Sequence, residues 1–254
     1  MIYMDPPFFT QKDWIGPAGR FSDRWSFDAA ARERLDRAPA LVRDTLGGLA
    51  GAASPRLAYL LAMHELVAAS WSRLRTTGSL WLHCDDTASA YLRLVLDLVF
   101  GAHRFWGQIF WRRTGHTTVR RGFERVLDTI IVYVRTGAAL SRAERPSAGL
   151  LAEVPGPLLE IDGVRGRRVQ GALDERLAST SKERIGYPTQ KPVNLIARLI
   201  DTATRSGDLV VDPCCGSGST LVAAARLGRV AIGIDQSPYA VALACTRLDL
   251  PEVA

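Results

Sequence analysis

Lysine is nearly missing from this 254-residue chain: Lys12, Lys182 and Lys191 stand against a combined lysine and arginine count of 32. Cysteine is also scarce. Cys84, Cys214, Cys215 and Cys245 are too few, and two of them too adjacent, for a secreted disulfide framework; reduced thiols in a cytoplasm are the simpler reading. No apolar run approaches the length of a membrane span and no signal-peptide pattern opens the chain, so no membrane partner is expected. The histidines (His64, His83, His103 and His116) are scattered without metal-ligand spacing, and no metal is expected. Repeats and low-complexity tracts are absent, which excludes solenoids and fibrous classes.

What remains is the composition of a globular protein with a sizeable core, 47% hydrophobic and 23% charged. The net charge of +6 is carried almost entirely by arginine and favours a polyanionic partner.

Met1-Ile2-Tyr3-Met4 reads as a short buried strand running into Asp5-Pro6-Pro7-Phe8, where two prolines end the ladder in a rigid loop. Residues 9–54 show little periodicity beyond a short helix at 28–37. Leu57, Leu60, Leu61, His64, Leu66, Val67 and Trp71 then recur at helical spacing. A buried strand, 78–84, ends at Asp85-Asp86, and a helix follows at about 87–100. Strands are expected at 106–111 and 127–134 with a basic loop between them. Residues 135–186 carry scattered Gly, Pro and charge and read as an inserted, loop-rich module. Regular alternation returns with a helix at 191–205, strand at 208–213, helix at 218–228, strand at 230–235 and helix at 237–248. Apolar strands alternating with helices predict an α/β parallel sheet covered on both faces.

Two loops carry chemistry. Leu209-Val210-Val211-Asp212 leads into Pro213-Cys214-Cys215-Gly216-Ser217-Gly218-Ser219-Thr220, a glycine-bearing turn between strand and helix at the carboxyl edge of the sheet. A second acid, Asp235, ends the next strand, where a carboxylate can accept both ribose hydroxyls of an adenosine cofactor. A nicotinamide fingerprint would want Gly or Ala where Leu221 stands. The Asp5-Pro6-Pro7-Phe8 loop offers a carboxylate, fixed carbonyls and an aromatic face, a set suited to a planar heterocycle bearing an amino group.

Together these loops resemble the exocyclic-amino DNA methyltransferases, the N6-adenine/N4-cytosine family. Its (D/N/S)PP(Y/F) loop matches Asp5-Pro6-Pro7-Phe8, its DPxxGxG motif matches the stretch from Asp212 to Gly218, and Gly186-Tyr187-Pro188-Thr189-Gln190-Lys191-Pro192 looks like its (H/Y)PTQKP signature. Phe21-Ser22-Asp23-Arg24-Trp25 and the strand from Gly78 to Asp85 are also similar to family members. The order, with the catalytic loop first, then a variable region, then PTQKP and the cofactor loop, looks like the circularly permuted β group.

The resemblance implies a Rossmann-like methyltransferase sheet with a catalytic half at 1–134, a target-recognition insertion at 135–186 and a cofactor-binding half at 187–254. It implies S-adenosylmethionine as cofactor, held by Asp212, Pro213, Cys214, Gly216, Gly218, Thr220 and Asp235 with Thr189 and Lys191 nearby. It implies double-stranded DNA as substrate and a restriction–modification setting, with Asp5, Pro6, Pro7 and Phe8 catalytic on a flipped base. Adenine N6 is favoured because Asp opens the Pro-Pro loop, with cytosine N4 as the alternative. A silent, DNA-binding version of the fold is a reading of another class. The β group often forms homodimers; no cognate restriction endonuclease can be inferred.

Two features depart from the pattern. Cys214 stands where the family usually has Phe; although Pro213-Cys214 also matches the Pro-Cys nucleophile of cytosine-C5 enzymes, it lies inside the cofactor turn and reads as a packed thiol. Family members usually carry a segment before the catalytic strand that helps line the adenine pocket. Here Asp5 comes almost first, so either the true start lies upstream or the pocket is completed differently. Finally, Arg112, Arg113, His116, Arg120, Arg121 and Arg125, interleaved with aromatics, are expected to contact DNA, with Arg165, Arg167 and Arg168 a weaker cluster.

Overall fold

The computed structural model describes residues 1–16, 19–112, 127–136, 170–173 and 183–250. Its centre is a seven-stranded sheet formed by β1 (Ile2–Met4), β4 (Ser79–Asp85), β5 (Phe105–Arg112), β6 (Leu127–Val134), β7 (Gln170–Leu173), β8 (Leu209–Asp212) and β9 (Val230–Gly233). The spatial order is β7-β5-β6-β4-β1-β8-β9. A separate hairpin pairs β2 (Asp13–Gly16) with β3 (Gly19–Ser22). The helices are α1 (Ala29–Arg37), α2 (Ala40–Ala50), α3 (Pro55–Arg73), α4 (Ser89–Phe100), α5 (Val193–Ala203), α6 (Ser219–Arg226) and α7 (Pro238–Arg247).

Strand alternation sends successive side chains to two cores. Ile2, Met4, Leu80, Leu82 and Tyr133 meet Leu57, Leu60, Leu92 and Val95 of α3 and α4 on one face. Tyr3, Trp81, Val132 and Val210 meet Leu195, Ile196, Ala223 and Ala224 of α5 and α6 on the other. Leu60, Leu80, Leu82 and Leu92 are fully buried, each stabilising the sandwich by about 1.5–3 kcal/mol relative to exposure.

The sheet differs from the all-parallel expectation. β6 runs antiparallel to both β4 and β5, while the other pairings are parallel. The register shows this: Arg112 pairs with Leu127 and Trp111 with Asp128, so the end of β5 and the start of β6 lie at the same end of the sheet. The stretch 9–54 also holds more order than its sequence suggests, namely the β2–β3 hairpin and α2. Within 135–186, β7 adds a strand beside β5.

β1 and β8 lie side by side, parallel, with Ile2 opposite Val211. The Met1 amino group donates to the Leu209 carbonyl at 2.9 Å, and the Val211 N–H to the Met1 carbonyl at 3.0 Å. From β1 the chain crosses one face to reach β4; from β8 it crosses the other to reach β9. Their carboxyl ends therefore bracket a topological switch point, where open α/β sheets form ligand crevices. Among the described residues no helix is long and apolar enough to cross a membrane.

Candidate active site

The loop leaving β1 is held in an unusual backbone. Phe9 and Gln11 have φ of 62° and 56° without being glycine, a left-handed conformation costing on the order of 1–3 kcal/mol at each position. Side chains from elsewhere hold it. The Tyr59 hydroxyl donates to the Pro7 carbonyl at 2.8 Å. Asp23, buried, accepts from the Thr10 N–H and hydroxyl at 2.6 and 2.7 Å and from Trp25 Nε1 at 2.8 Å. The Trp25 N–H donates to Gln11 Oε1. The Phe21–Trp25 segment thus clamps the loop that follows Phe8.

Asp5 sits at the mouth of the switch point. Its Oδ2 accepts from Lys191 Nζ at 2.6 Å, while its Oδ1 is buried with no hydrogen-bond partner. The same ammonium lies 5.1 Å from the centre of the Phe8 ring. Lys191 is carried there by a turn that its neighbours lock: the Ile185 N–H donates to Gln190 Oε1, Gln190 Nε2 to the Glu183 carbonyl, and the Val193 N–H to Glu183 Oε1. The β2–β3 hairpin rests against this turn so closely that a β-carbon at Gly16 would stand 2.4 Å from the Gly186 carbonyl oxygen.

The second loop closes the crevice from the β8 side. Asp212 is buried; the Cys214 N–H, at 2.9 Å, and the Thr220 hydroxyl donate to it. Burial is the main force pushing its carboxyl up to about 7, and the nearby Asp5 and Asp235 carboxylates add to it. Gly216 and Gly218 have φ of 48° and 77°. A β-carbon at Gly216 would lie 3.3 Å from the Tyr187 ring, and one at Gly218 would lie 2.8 Å from the Ala244 β-carbon. Asp235 ties the loop down, its two oxygens accepting from the Gly216 and Ser237 N–H groups, each at 2.9 Å. Arg247 donates to the Ser217 carbonyl from the end of α7. Burial pushes the Cys214 thiol well up and that of Cys215 up to about 12, so both are neutral, packed groups rather than nucleophiles.

The structure thus gathers Asp5, Phe8, Lys191, Asp212, Gly216, Gly218 and Asp235 at the carboxyl ends of β1 and β8. Pro6 is buried, Pro213 and Cys214 are half-buried in the turn, and Thr189 lies in the turn before Lys191. Thr220 is buried, its hydroxyl bonded to Asp212. Arg112 is exposed at the end of β5; Arg113, His116, Arg120, Arg121 and Arg125, like Arg165, Arg167 and Arg168, lie outside the described residues. Sequence reasoning missed Tyr59, Glu183 and Arg247, and read Gln190 only as part of the PTQKP signature. His83, one of the scattered histidines, is fully buried between Tyr3 and Asp128.

The family model for DNA methylases of the N6/N4 type matches residues 1–245. The chain belongs to this DNA methylase family. It is 26% identical over 196 residues to the Type II methyltransferase M.HpaI of Haemophilus parainfluenzae, covering 75% of this chain and 60% of that protein. In four curated Type II methyltransferases, M.HpaI among them, the aligned stretch spans from 12% to 60% of the relative's own length. The fold is similar to that of the M1.HpyAVI–SAM complex, with a TM-score of 0.59 at 18% identity over 98% of this chain and 88% of that one. It is also similar to the cytosine-N4-specific PvuII DNA methyltransferase, with a TM-score of 0.58 at 16% identity over 100% of this chain and 80% of that one. The methylase sheet is thus present across nearly the whole chain, and the DPPF and DPCCGSG loops of this member share its switch point.

Proposed function

We propose that this methylase transfers a methyl group from S-adenosylmethionine to the exocyclic amino group of a base flipped out of duplex DNA, with adenine N6 favoured. The observation that carries the reading is the Asp5 carboxylate, fixed at the switch point opposite the glycine loop with one oxygen buried and unpartnered. A buried acceptor without a donor is costly, and an amino hydrogen of the target base would satisfy it.

The residues present fit the cofactor. Gly216 and Gly218 leave backbone room along the loop, Asp212 offers a carboxylate for the methionine amino group, and Asp235 keeps acceptor capacity for ribose hydroxyls beyond its two backbone bonds. When bound, S-adenosylmethionine supplies an electrophilic methyl group on sulfur. Asp5 Oδ1 accepts one amino hydrogen of the base and the Pro6 carbonyl the other, which draws the nitrogen lone pair out of ring conjugation and aims it at that methyl carbon. Phe8 stacks on the base and Lys191, bonded to Oδ2, holds the Asp5 carboxylate in place. After transfer the amino group sheds one proton to solvent. Flipping the base costs a few kcal/mol.

In the same reading residues 1–134 form the catalytic half, 187–254 the cofactor half and 135–186 the target-recognition insertion. β7, inside that insertion, lines the sheet edge next to β5, the strand that ends at Arg112, which supports placing DNA contacts there. Cytosine N4 presents a similar amide-like edge and is the alternative substrate.

A silent DNA-binding module is favoured by one observation. Leu209, Val230, Ile232 and Ile234 are 44–57% exposed along β8 and β9 leading to Asp235, where a wall for the adenosine is needed. Nucleoside mass spectrometry on unmethylated genomic DNA, incubated with purified protein and S-adenosylmethionine, separates the readings. N6-methyladenine is the expected product and N4-methylcytosine would reassign the base. Neither product, with no cofactor binding in isothermal titration, would leave the silent module.

A further inference from the structure

Beneath the Phe8 ring lies a polar cluster that the reaction does not use directly. Tyr3 of β1, His83 of β4 and Asp128 of β6 are 1%, 0% and 1% exposed. The Tyr3 hydroxyl is 2.9 Å from His83 Nδ1, and His83 Nε2 is 3.2 Å from Asp128 Oδ2. Burial pushes the Tyr3 phenol well up, so its hydroxyl stays protonated beside Nδ1. Both imidazole nitrogens are thereby committed, and the ring cannot flip without breaking two buried bonds.

Its rotation matters because of what rests on it. The Phe8 and His83 rings stack at 6.0 Å with an interplanar angle of 22°. On another side Trp111, next to Arg112 at the end of β5, meets His83 edge-on at 5.5 Å and 84°. Three fully buried polar residues joined to one another are an expensive way to fill space, since hydrophobic groups of similar volume would pack there at no desolvation cost. We propose that His83 is a positioning residue whose imidazole, fixed by Tyr3 and Asp128, is the platform that sets the Phe8 ring for stacking on the target base. This rests on the methyltransferase reading.

Two variants test it. His83→Gln retains a donor towards Asp128 and removes the ring; His83→Phe combined with Asp128→Leu retains a ring and removes the buried polar pair. The readouts are the single-turnover rate of labelled methyl transfer to unmethylated genomic DNA, the KM for that DNA, and S-adenosylmethionine affinity by titration calorimetry. His83→Gln is expected to slow transfer about tenfold or more, as small misplacements of reacting groups do, with KM and cofactor affinity near wild type. The double variant is expected to recover most of the rate. A folded, cofactor-binding His83→Gln protein with wild-type rate overturns the proposal. So does a parallel loss of cofactor affinity and rate, which marks a merely structural role, or a slow double variant. No transfer by the wild-type protein would instead overturn the methyltransferase reading, and this proposal with it.

Discussion

Asp212 should make the protein less stable as pH rises from about 4 to about 7. Its carboxyl is raised from 3.8 to about 7, chiefly by burial, with Asp5 and Asp235 adding to the effect and the Thr220 and Cys214 donors opposing it. Below pH 4 the group is protonated in both folded and unfolded chains and contributes nothing. Between pH 4 and 7 the unfolded chain ionises while the folded one does not, so unfolding releases a proton and stability falls; above pH 7 the loss is complete. Each tenfold change in proton affinity is worth about 1.4 kcal/mol, so the full loss is on the order of 4 kcal/mol. Asp212→Asn removes the titration while keeping an oxygen for the Cys214 N–H. In urea denaturation followed by tryptophan fluorescence, the variant should gain on the wild type by roughly 2–3 kcal/mol between pH 5 and pH 8. Taking the difference between the two proteins cancels the other groups that titrate in this range. A constant gap across that range would show that Asp212 is already ionised in the folded chain and would refute the reasoning.

The same carboxyl links to the proposed cofactor. A cationic methionine amino group needs Asp212 ionised, so binding should release a proton near pH 6.5. Calorimetry in buffers of different ionisation enthalpy would register that release, and Asp212→Asn should abolish it.

Asp5→Ala is expected to reduce methyl transfer at least ~10²-fold and leave cofactor affinity largely intact; equal loss of both, by radiolabel incorporation and calorimetry, would assign Asp5 to the cofactor pocket instead. Asp235→Ala should weaken cofactor binding first, since it also strands the Gly216 and Ser237 N–H groups. Gly218→Ala forces a side chain into a φ of 77° and against Ala244, and should cost about 1–3 kcal/mol in urea denaturation with a matching loss of cofactor affinity.

The helices with long apolar stripes and the two chemical loops were readable because each is encoded within a few consecutive residues. α3 begins where Ser54 caps it and Pro55 opens it. α2 was not readable: it contains Gly47 and Gly48, each about 1 kcal/mol worse than alanine in a helix, and buries only Val42 and Leu46. The β2–β3 hairpin alternates exposed and half-buried residues with Ile15 77% exposed, so its pattern lacks the apolar face that marks a strand. The clamps around the site were hidden for another reason. Tyr59 is 52 residues from Pro7, and His83 is 80 from Tyr3 and 45 from Asp128; such partners meet only once the sheet order is known.

Asp235 shows how a correctly placed residue can still be half-read. Its position at the end of β9 suggests a carboxylate with both oxygens turned to a ribose. In the fold, one oxygen receives the Gly216 N–H and the other the Ser237 N–H. A carboxylate has about four acceptor sites, so these bonds leave roughly half its capacity for a ligand. The two it has already made hold Gly216 in its left-handed turn and fix the start of α7. The loop is therefore shaped before any cofactor arrives, and binding need not supply that ordering. This predicts that Asp235→Asn, which keeps one acceptor oxygen but turns an amide donor towards one of the two N–H groups, loosens the loop itself. Amide exchange at Gly216 and Ser237 should accelerate in the cofactor-free variant; unchanged protection there would mean that the carboxylate serves the ligand alone.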